Sequence, residues 1–589
     1  MTKAYAQHGD SAGTFLGHPK GLFVLFFAEM WERFSYYGMR ALLIFYLTKH
    51  WLFSDGESGI IYGAYTALVY ITPVLGGYLA DKWLGQRKAV LYGAVLLTFG
   101  HFLMGFEGAG GQDAASLNIF WLALAFIIVG SGFLKANISV MVGQLYPRTD
   151  VRRDGAYTIF YMGINLGAFL GSLLCGYLGE TYGWAYGFGA AGFGMLLGLI
   201  VFVVFKPLLL GRGEPEHPEL LEEKKFGLRF EWLLYAAGLA AVGVCWWMVQ
   251  NQAVVGSLLG LCGLVLILYV LSVATFGLAY DKASDAPELP LLLYIVGAVM
   301  LFVGGLIAIL MPEMLIISIT VPLLGLAIVL GVIIQQVMLK TSHDRDRIFA
   351  AMFLIMGSIL FWALFEQAGS SLNLFTDRHV DRAGVPASMF QSLNAAYIVL
   401  LAPLFAMLWT WLGRRNMEPS TPVKFGLAMF QLGLGFLVLK WGAEAVGMGN
   451  MTPVIFIFLI YLLHTTGELC LSPVGLSAMN RLAPSHMASL IMGTWFFASA
   501  TGNFVAGLIA AATGSERASG EGAGKALVLD VYQTIGFWAI GFGVFVIIVA
   551  PLIRKLMHLD TLRDAEDLAG QGEIGEPQAA GTHPEPKGA

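Results

Sequence analysis

The chain has 589 residues, of which 57% are hydrophobic and only 12% are charged, and its formal net charge is −5. An ordinary soluble protein carries about 25% charged residues, so this composition indicates an integral membrane protein. A net charge this small, without the clustering of lysine and arginine typical of nucleic-acid-binding proteins, argues against nucleic-acid binding.

Six apolar stretches near the ~20 residues that cross a bilayer lie in the first third of the chain. They cover residues 21–47, 58–80, 87–106, 117–142, 155–179 and 185–206. The polar stretch before them, residues 1–20, lacks the short apolar core and small-residue cleavage site of a secretory signal. We therefore expect a cytoplasmic N-terminal segment and a retained first helix.

Two apolar blocks, 231–280 and 291–340, follow a polar linker that begins after residue 206. Each block is long enough for a helical hairpin. A second group of six stretches covers residues 346–372, 388–412, 421–441, 452–480, 487–513 and 530–556. The sequence predicts six, four and six helices, although six, two and six stays open.

The predicted domains follow from this order of apolar stretches. They are a first bundle at 21–206, a linker with inserted hairpins at 207–344, a second bundle at 345–557 and a tail at 558–589. The tail is rich in Gly, Pro and acidic residues, which predicts disorder. The inserted hairpins carry almost no internal charge, so we expect them to pack outside any polar pathway.

Loop charges predict the orientation. Basic residues concentrate in the loops after the even-numbered helices of each group, as in "DKWLGQRK", "YPRTDVRR" and "LGRRN". Because basic loops stay in the cytoplasm, both termini are expected there. The groups also share short motifs in the same order, such as "WLGQR" and "WLGRR". This indicates two repeated halves, the arrangement that places a transport site between them at the bilayer midplane.

Several ionisable side chains fall at intramembrane depth. They are Glu29, Glu32, Arg33, Arg40, Lys135, Glu366 and Glu468. Each unpaired charge at the centre of a membrane helix costs roughly 2.5–3.5 kcal/mol, and the sum of about 20 kcal/mol exceeds typical folding stability. These groups must therefore be paired, protonated or exposed to water.

Helical spacing separates two interpretations of the first helix. Glu29, Arg33, Tyr36, Tyr37 and Arg40 follow steps of three and four, so they share one face. That face could line a polar cavity, or it could be a structural ion pair that joins two helices. Lys135 is the harder residue to explain as structural, because its own stretch offers no charged partner.

The motif "ExxERFxYY" resembles the signature of the proton-coupled oligopeptide transporter family of the major facilitator superfamily. Its residues here are Glu29, Glu32, Arg33, Phe34, Tyr36 and Tyr37. The segments "GGYLADKWLGQRK", "GFLKANIS", "GINLGAF", "FWALFEQ", "QSLN" and "GELCLSPVGLS" also resemble family segments, in the family's order. The resemblance spans about 15–210 and 345–555 and implies an all-α major facilitator fold of two six-helix bundles.

The resemblance also implies a peptide-binding site. Arg33 and Lys135 would hold the peptide carboxyl group, with Arg40 nearby, and three residues would receive the amino group: Asn165, Asn394 and Glu468. Aromatic residues would wall the side-chain pockets, namely Tyr37, Tyr70, Trp362 and Trp495. A zwitterion independently requires opposite charges at its two ends.

Proton coupling is implied for a second set of residues, Glu29, Glu32, Arg33, Arg40 and Glu366. Glu366 would pair with Arg40 across the outer gate. Where animal members carry a histidine on helix two, this chain has Gly63, so coupling must use carboxylates. Phe365 stands where some bacterial relatives have a second acid, which concentrates the role on Glu366.

The sequence therefore predicts a symporter that imports di- and tripeptides with protons, without a cofactor, in the cytoplasmic membrane of a bacterium. No nucleotide-binding loop, metal cluster or nucleophile triad appears in the sequence, so an ATP-driven pump or a membrane enzyme is not expected, and neither nucleotide nor nucleic acid is an expected partner. A family member specialised for nitrate or another anion, and a peptide receptor that does not translocate, remain alternatives.

Overall fold

The computed structural model describes residues 13–146, 150, 152–278, 287–484, 487–514 and 522–559. Most of the predicted N-terminal segment and the predicted disordered tail from residue 560 lie outside these residues. Among the described residues, fourteen helices are long and apolar enough to cross a membrane. Two other helices, Lys20–Phe45 with 26 residues and Gln86–Met104 with 19, are less apolar but also long enough to cross a membrane.

The helices fall into three successive groups. The first consists of α1 (Lys20–Phe45), α2 (Asp55–Leu79), α3 (Gln86–Met104), α4 (Ala114–Gln144), α5 (Arg153–Tyr182) and α6 (Trp184–Val204). The second consists of the short α7 (Pro218–Glu222), then α8 (Phe230–Gln250), α9 (Gln252–Ser272), α10 (Glu288–Leu310) and α11 (Leu315–Leu339). The third consists of α12 (His343–Phe365), α13 (Ser371–His379), α14 (Ser392–Gly413), α15 (Thr421–Ala445), α16 (Ile455–Leu482), α17 (Ala488–Ala512) and α18 (Ala523–Met557).

Strands are limited to three two-residue pairs in the described part of the chain. β1 (Thr14–Phe15) pairs antiparallel with β2 (His18–Pro19), and β3 (Lys224–Lys225) pairs antiparallel with β4 (Leu228–Arg229). β5 (Val380–Asp381) runs parallel to β6 (Thr452–Pro453).

Polar side chains fix where several helices begin. Ser54 and Glu57 form a reciprocal capping box at the start of α2, and Asp113 accepts a hydrogen bond from the backbone N–H of Ser116 at 2.9 Å. Such caps satisfy amide groups that the first helical turn leaves without partners. The sequence thus sets the beginning of α2 and α4, which carry Tyr70 and Lys135.

The first and third groups each enclose a large core of buried apolar residues. The two bundles meet where α2 crosses α17. A side chain at Gly63 would place its Cβ 2.7 Å from the Cα of Gly507. This crossing has room only for glycine, which gives a physical reason why this chain has no imidazole at position 63.

The inserted helices attach to the bundles through α8 and α9. Lys88 of α3 pairs with Glu231 of α8 at 2.7 Å, and Tyr92 donates to the carbonyl oxygen of Tyr235 at 2.8 Å. α9 places Gly256 and Gly263 against two phenylalanines of α17, Phe504 and Phe497. None of the predicted site residues lies on α8–α11.

The predicted span 346–372 is interrupted in the structure. α12 ends at Phe365, residues Glu366–Gly369 form a 3₁₀ turn, and α13 begins at Ser371. The break occurs in "EQAGSS", where Gly and Ser are weak helix formers. Consequently Glu366 lies at a helix end and not within a continuous helix.

Candidate functional site

The polar face of α1 holds a compact charge cluster. Arg33 Nε lies 2.6 Å from Glu29 Oε1 and 3.2 Å from Glu32 Oε2. Both glutamates are fully buried. Oε2 of Glu29 and both carboxylate oxygens of Glu32 have no hydrogen-bond partner among the described residues. One cation therefore serves two buried acids, and the cluster retains unused acceptors.

Backbone packing fixes the position of this cluster. At Gly167 of α5, a Cβ would overlap the carbonyl oxygen of Met30 and lie 2.9 Å from the Cβ of Arg33. A Cβ added at Gly171, one turn later, would overlap the carbonyl oxygen of Phe34 in the same way. Small residues at this spacing let two membrane helices approach closely. The segment "GINLGAFLG" thus holds α5 against the charged part of α1.

Lys135 of α4 lies beside tyrosine rings. Its Nζ is 3.8 Å from the ring centroid of Tyr36 and 5.3 Å from that of Tyr70. Nζ is buried and has no hydrogen-bond partner among the described residues. The structure therefore joins Tyr70 and Lys135, two predicted site residues, and adds Tyr36.

The second bundle contributes an acid on α16. Asn394 donates to Glu468 Oε2 at 2.9 Å and to Thr465 at 3.1 Å. Asn165, by contrast, donates to the carbonyl oxygen of Tyr161 on its own helix at 3.0 Å. Within the part of the chain that the structure describes, no ion pair joins Lys135 to Glu468. The predicted amino-group residues are thus only partly assembled.

A buried ion pair connects the bundles. Arg40 Nη2 bonds to Glu366 Oε2, and both side chains are almost fully buried. Arg40 Nε also donates to the hydroxyl of Tyr62 at 2.5 Å. A buried charge is tolerated only when it is paired and hydrogen-bonded, and these three residues meet that requirement.

More contacts join the bundles around this pair, at what we call the closed end. Arg378 Nη2 donates to Asp55 Oδ1 at 2.7 Å, and Lys49 pairs with Asp377 at 2.7 Å. The ion pairs that join the bundles within the described residues therefore gather at the closed end.

The predicted aromatic residues have separate environments. The ring of Tyr37 lies 5.8 Å from the guanidinium carbon of Arg40. Trp362 has a buried indole N–H without a hydrogen-bond partner among the described residues. Trp495 is buried and packs edge-to-face on Phe425, 6.3 Å away.

Sequence reasoning missed Tyr62, the ring of Tyr36 and the pair Asp55–Arg378. Tyr62 lies one residue before Gly63 in a stretch rich in tyrosine, which was a usable signal. Asp55 and Arg378 lie at helix ends, where ionisable residues are common, so their types alone carried little information.

Two helical bundles that meet around buried opposite charges define a secondary transporter with a site between its halves. The chain belongs to the POT family, whose model matches residues 87–210 and 325–525. It is a multi-pass membrane transporter and not an enzyme.

Named relatives extend along almost the whole chain. The peptide transporter YePEPT of Yersinia enterocolitica is 35% identical over 92% of this chain and 96% of its own length. Dipeptide and tripeptide permease B of Aliivibrio fischeri is 28% identical over 95% and 99%. A crystal structure of a peptide transporter POT with sulfate is 32% identical, with a TM-score of 0.66 over 94% of this chain and 99% of that one. A mutant form of such a transporter in complex with alafosfalin is 32% identical, with a TM-score of 0.67 over the same shares.

Proposed function

We propose that this protein is a proton-coupled symporter that imports di- and tripeptides by alternating access. The observation that carries this proposal is the division of charge between the bundles. The first bundle supplies Arg33 and Lys135, and the second supplies Glu468, held by Asn394. A peptide zwitterion between the bundles would meet opposite charges at its two ends. The names of the relatives, a peptide transporter and a dipeptide and tripeptide permease, also support a peptide substrate.

The proposed peptide contacts follow from these positions. Arg33 and Lys135, with Arg40 nearby, receive the carboxylate. Glu468 and two amides receive the ammonium group, and four aromatic residues wall the side-chain pockets. The amides are Asn165 and Asn394, and the aromatic residues are Tyr37, Tyr70, Trp362 and Trp495.

Proton coupling is assigned to carboxylates. Glu366 bonds to Arg40 at the closed end, so protonating Glu366 weakens the contact that joins the bundles. Glu29 and Glu32 share Arg33, and a peptide carboxylate that engages Arg33 leaves both with less counter-charge. Peptide and proton binding then favour each other, as thermodynamic linkage requires.

The available driving force is sufficient for accumulation. One proton that crosses ~100 mV contributes about 2.3 kcal/mol, and one unit of pH gradient adds about 1.36 kcal/mol. Together these permit accumulation of roughly several hundred-fold.

We place the protein in the bacterial cytoplasmic membrane with both termini in the cytoplasm, so that the closed end faces outward. Residues 21–206 and 345–557 are the two bundles that move against each other around the site. The basic loops after α2, α4 and α14 support this orientation.

Counterflow tests the proposal. Purified protein in liposomes loaded with unlabelled dialanine should accumulate external labelled dialanine, and an inward proton gradient should drive net uptake. Peptide-dependent thermal stabilisation without counterflow would identify a receptor instead. Nitrate uptake that dialanine does not inhibit would identify an anion transporter.

A further inference from the structure

Lys135 has an unusual environment for a cation in a membrane helix. Its terminal nitrogen is buried, and no described residue forms a hydrogen bond or an ion pair with it. A lone charge at this depth destabilises a membrane helix. Some other interaction must compensate for part of that cost.

Each acid that could balance the charge of Lys135 contacts another group among the described residues. Glu29 and Glu32 both direct a carboxylate oxygen toward Arg33, at 2.6 and 3.2 Å, and Glu468 accepts from Asn394 at 2.9 Å. The charged side chains of the α1 cluster act on Lys135 only through longer-range electrostatic interactions. The ammonium group is therefore not part of a close ion pair within the described residues.

The closest group that can compensate for the charge is the π face of Tyr36. Nζ lies 3.8 Å from its ring centroid, well within the ~6 Å range of a cation–π interaction. Tyr36 is fully buried, and an edge-to-face contact with Tyr37, at 5.2 Å and 79°, orients its ring. Its hydroxyl has no hydrogen-bond partner among the described residues, so the ring is the part that contacts Lys135.

We propose that Tyr36 is the positioning residue for Lys135: its ring holds the ammonium group where it meets the carboxylate of the transported peptide. This inference rests on the proposed function. A π face contacts one side of the ammonium and leaves N–H donors for the substrate, whereas a carboxylate partner would have to be displaced. Binding then displaces no ion-pair partner of Lys135, which favours affinity.

Graded fluorination of the ring tests this role. Tyr36→Phe removes the hydroxyl, which has no hydrogen-bond partner among the described residues, and keeps the ring, so it is the reference for the fluorinated series. Phenylalanine carrying one, two or three fluorines at position 36 weakens the negative π face and changes the shape little. KM should rise stepwise, by about 2- to 30-fold in total for a cation–π interaction of ordinary strength, at constant Vmax.

Two controls separate positioning from packing. The same fluorinated residues at Phe120, a buried ring packed on Tyr46 and Trp51, should give no trend. With a dipeptide amide, which lacks the carboxylate, the trend at position 36 should disappear.

The outcomes distinguish this inference from the proposed function. If the wild-type protein shows no dialanine counterflow, the proposed function is wrong. The role of Tyr36 then fails with it, because Lys135 would have no peptide carboxylate to bind. If the wild-type protein transports dialanine but KM does not respond to fluorination, or falls with it, only the role of Tyr36 is refuted. An equal trend with the amide substrate would also refute it.

Discussion

Arg40 and Glu366 form a buried ion pair that links the first bundle to the second across 326 positions of sequence. Arg40 lies on a continuous helix, and Glu366 lies where α12 breaks. The pair therefore joins a continuous helix of one bundle to a helix end of the other, and under the proposed function it forms and dissociates in every cycle.

Replacing Glu366 by Gln should abolish proton-driven accumulation and preserve peptide exchange. Glutamine at position 366 is permanently neutral, so it can release Arg40 but cannot bind or release a proton during the cycle. Dialanine uptake under an inward proton gradient should fall to the level reached without a gradient, whereas counterflow at equal concentrations continues. If the variant still concentrates peptide in response to the gradient, the coupling carboxylate lies elsewhere, with Glu29 and Glu32 the next candidates.

Lys135→Ala and Glu468→Ala should each lower peptide uptake ~10-fold or more. Each change removes one end of the zwitterion's recognition, at roughly 1–3 kcal/mol, and Glu468→Ala also takes from Asn394 one of its acceptors. Inhibition by modified peptides assigns the ends. Lys135→Ala should no longer distinguish dialanine from its amide, and Glu468→Ala should no longer distinguish dialanine from its N-acetyl form.

Lys225→Ala, at an exposed position in β3, is the control and should transport like wild type. Wild-type uptake by either site variant would show that the site is misassigned.

Gly167→Ala should destabilise the protein by about 1–3 kcal/mol, as overpacking of a tight interface does. The added methyl group overlaps the carbonyl of Met30 and pushes α5 away from α1. The apparent unfolding temperature in detergent should fall, and transport should fall with it. Gly189→Ala is the matched control, because no atom lies within 4 Å of its added Cβ; an equal loss in both variants would refute the packing argument.

Glu214 provides a pH test in the linker outside the membrane. Burial acts to raise its pKa, but the hydrogen bond and charge of Arg87, with the charges of Lys206 and Lys88, hold the pKa below the usual 4.5. Because the folded pKa is the lower one, the pair stabilises the fold above pH 4.5 and loses this effect as the pH falls through the folded pKa.

Wild type should therefore unfold at a slightly higher temperature than Glu214→Gln at pH 7, and the difference should vanish as the pH drops below 4.5. The effect is small because the side chain is 36% exposed and water screens the pair. Glu216→Gln, at an exposed position nearby, is the matched control. A difference that grows on acidification would contradict the assignment.

The sequence predicted those parts of the site that follow from the cost of burying charge. An acid at the end of α12 and an arginine in α1, both at membrane depth, require partners, and the family resemblance implied the Arg40–Glu366 pair that the structure contains. The ring of Tyr36 beneath Lys135 was not predictable, because it depends on how two helices face each other. Gly63 shows the same limit: the sequence reveals that the imidazole is absent, and only the crossing with α17 gives the reason.

The glycine face of α9 has a consequence for the lipid environment. Gly256 and Gly263 receive Phe504 and Phe497 of α17, and α9 also contacts α2. Acyl chains therefore do not reach this stretch of the boundary between the bundles. The relative motion of α2 and α17 that the proposed function requires would therefore slide protein against protein along this stretch, so the fit of these side chains contributes to its resistance.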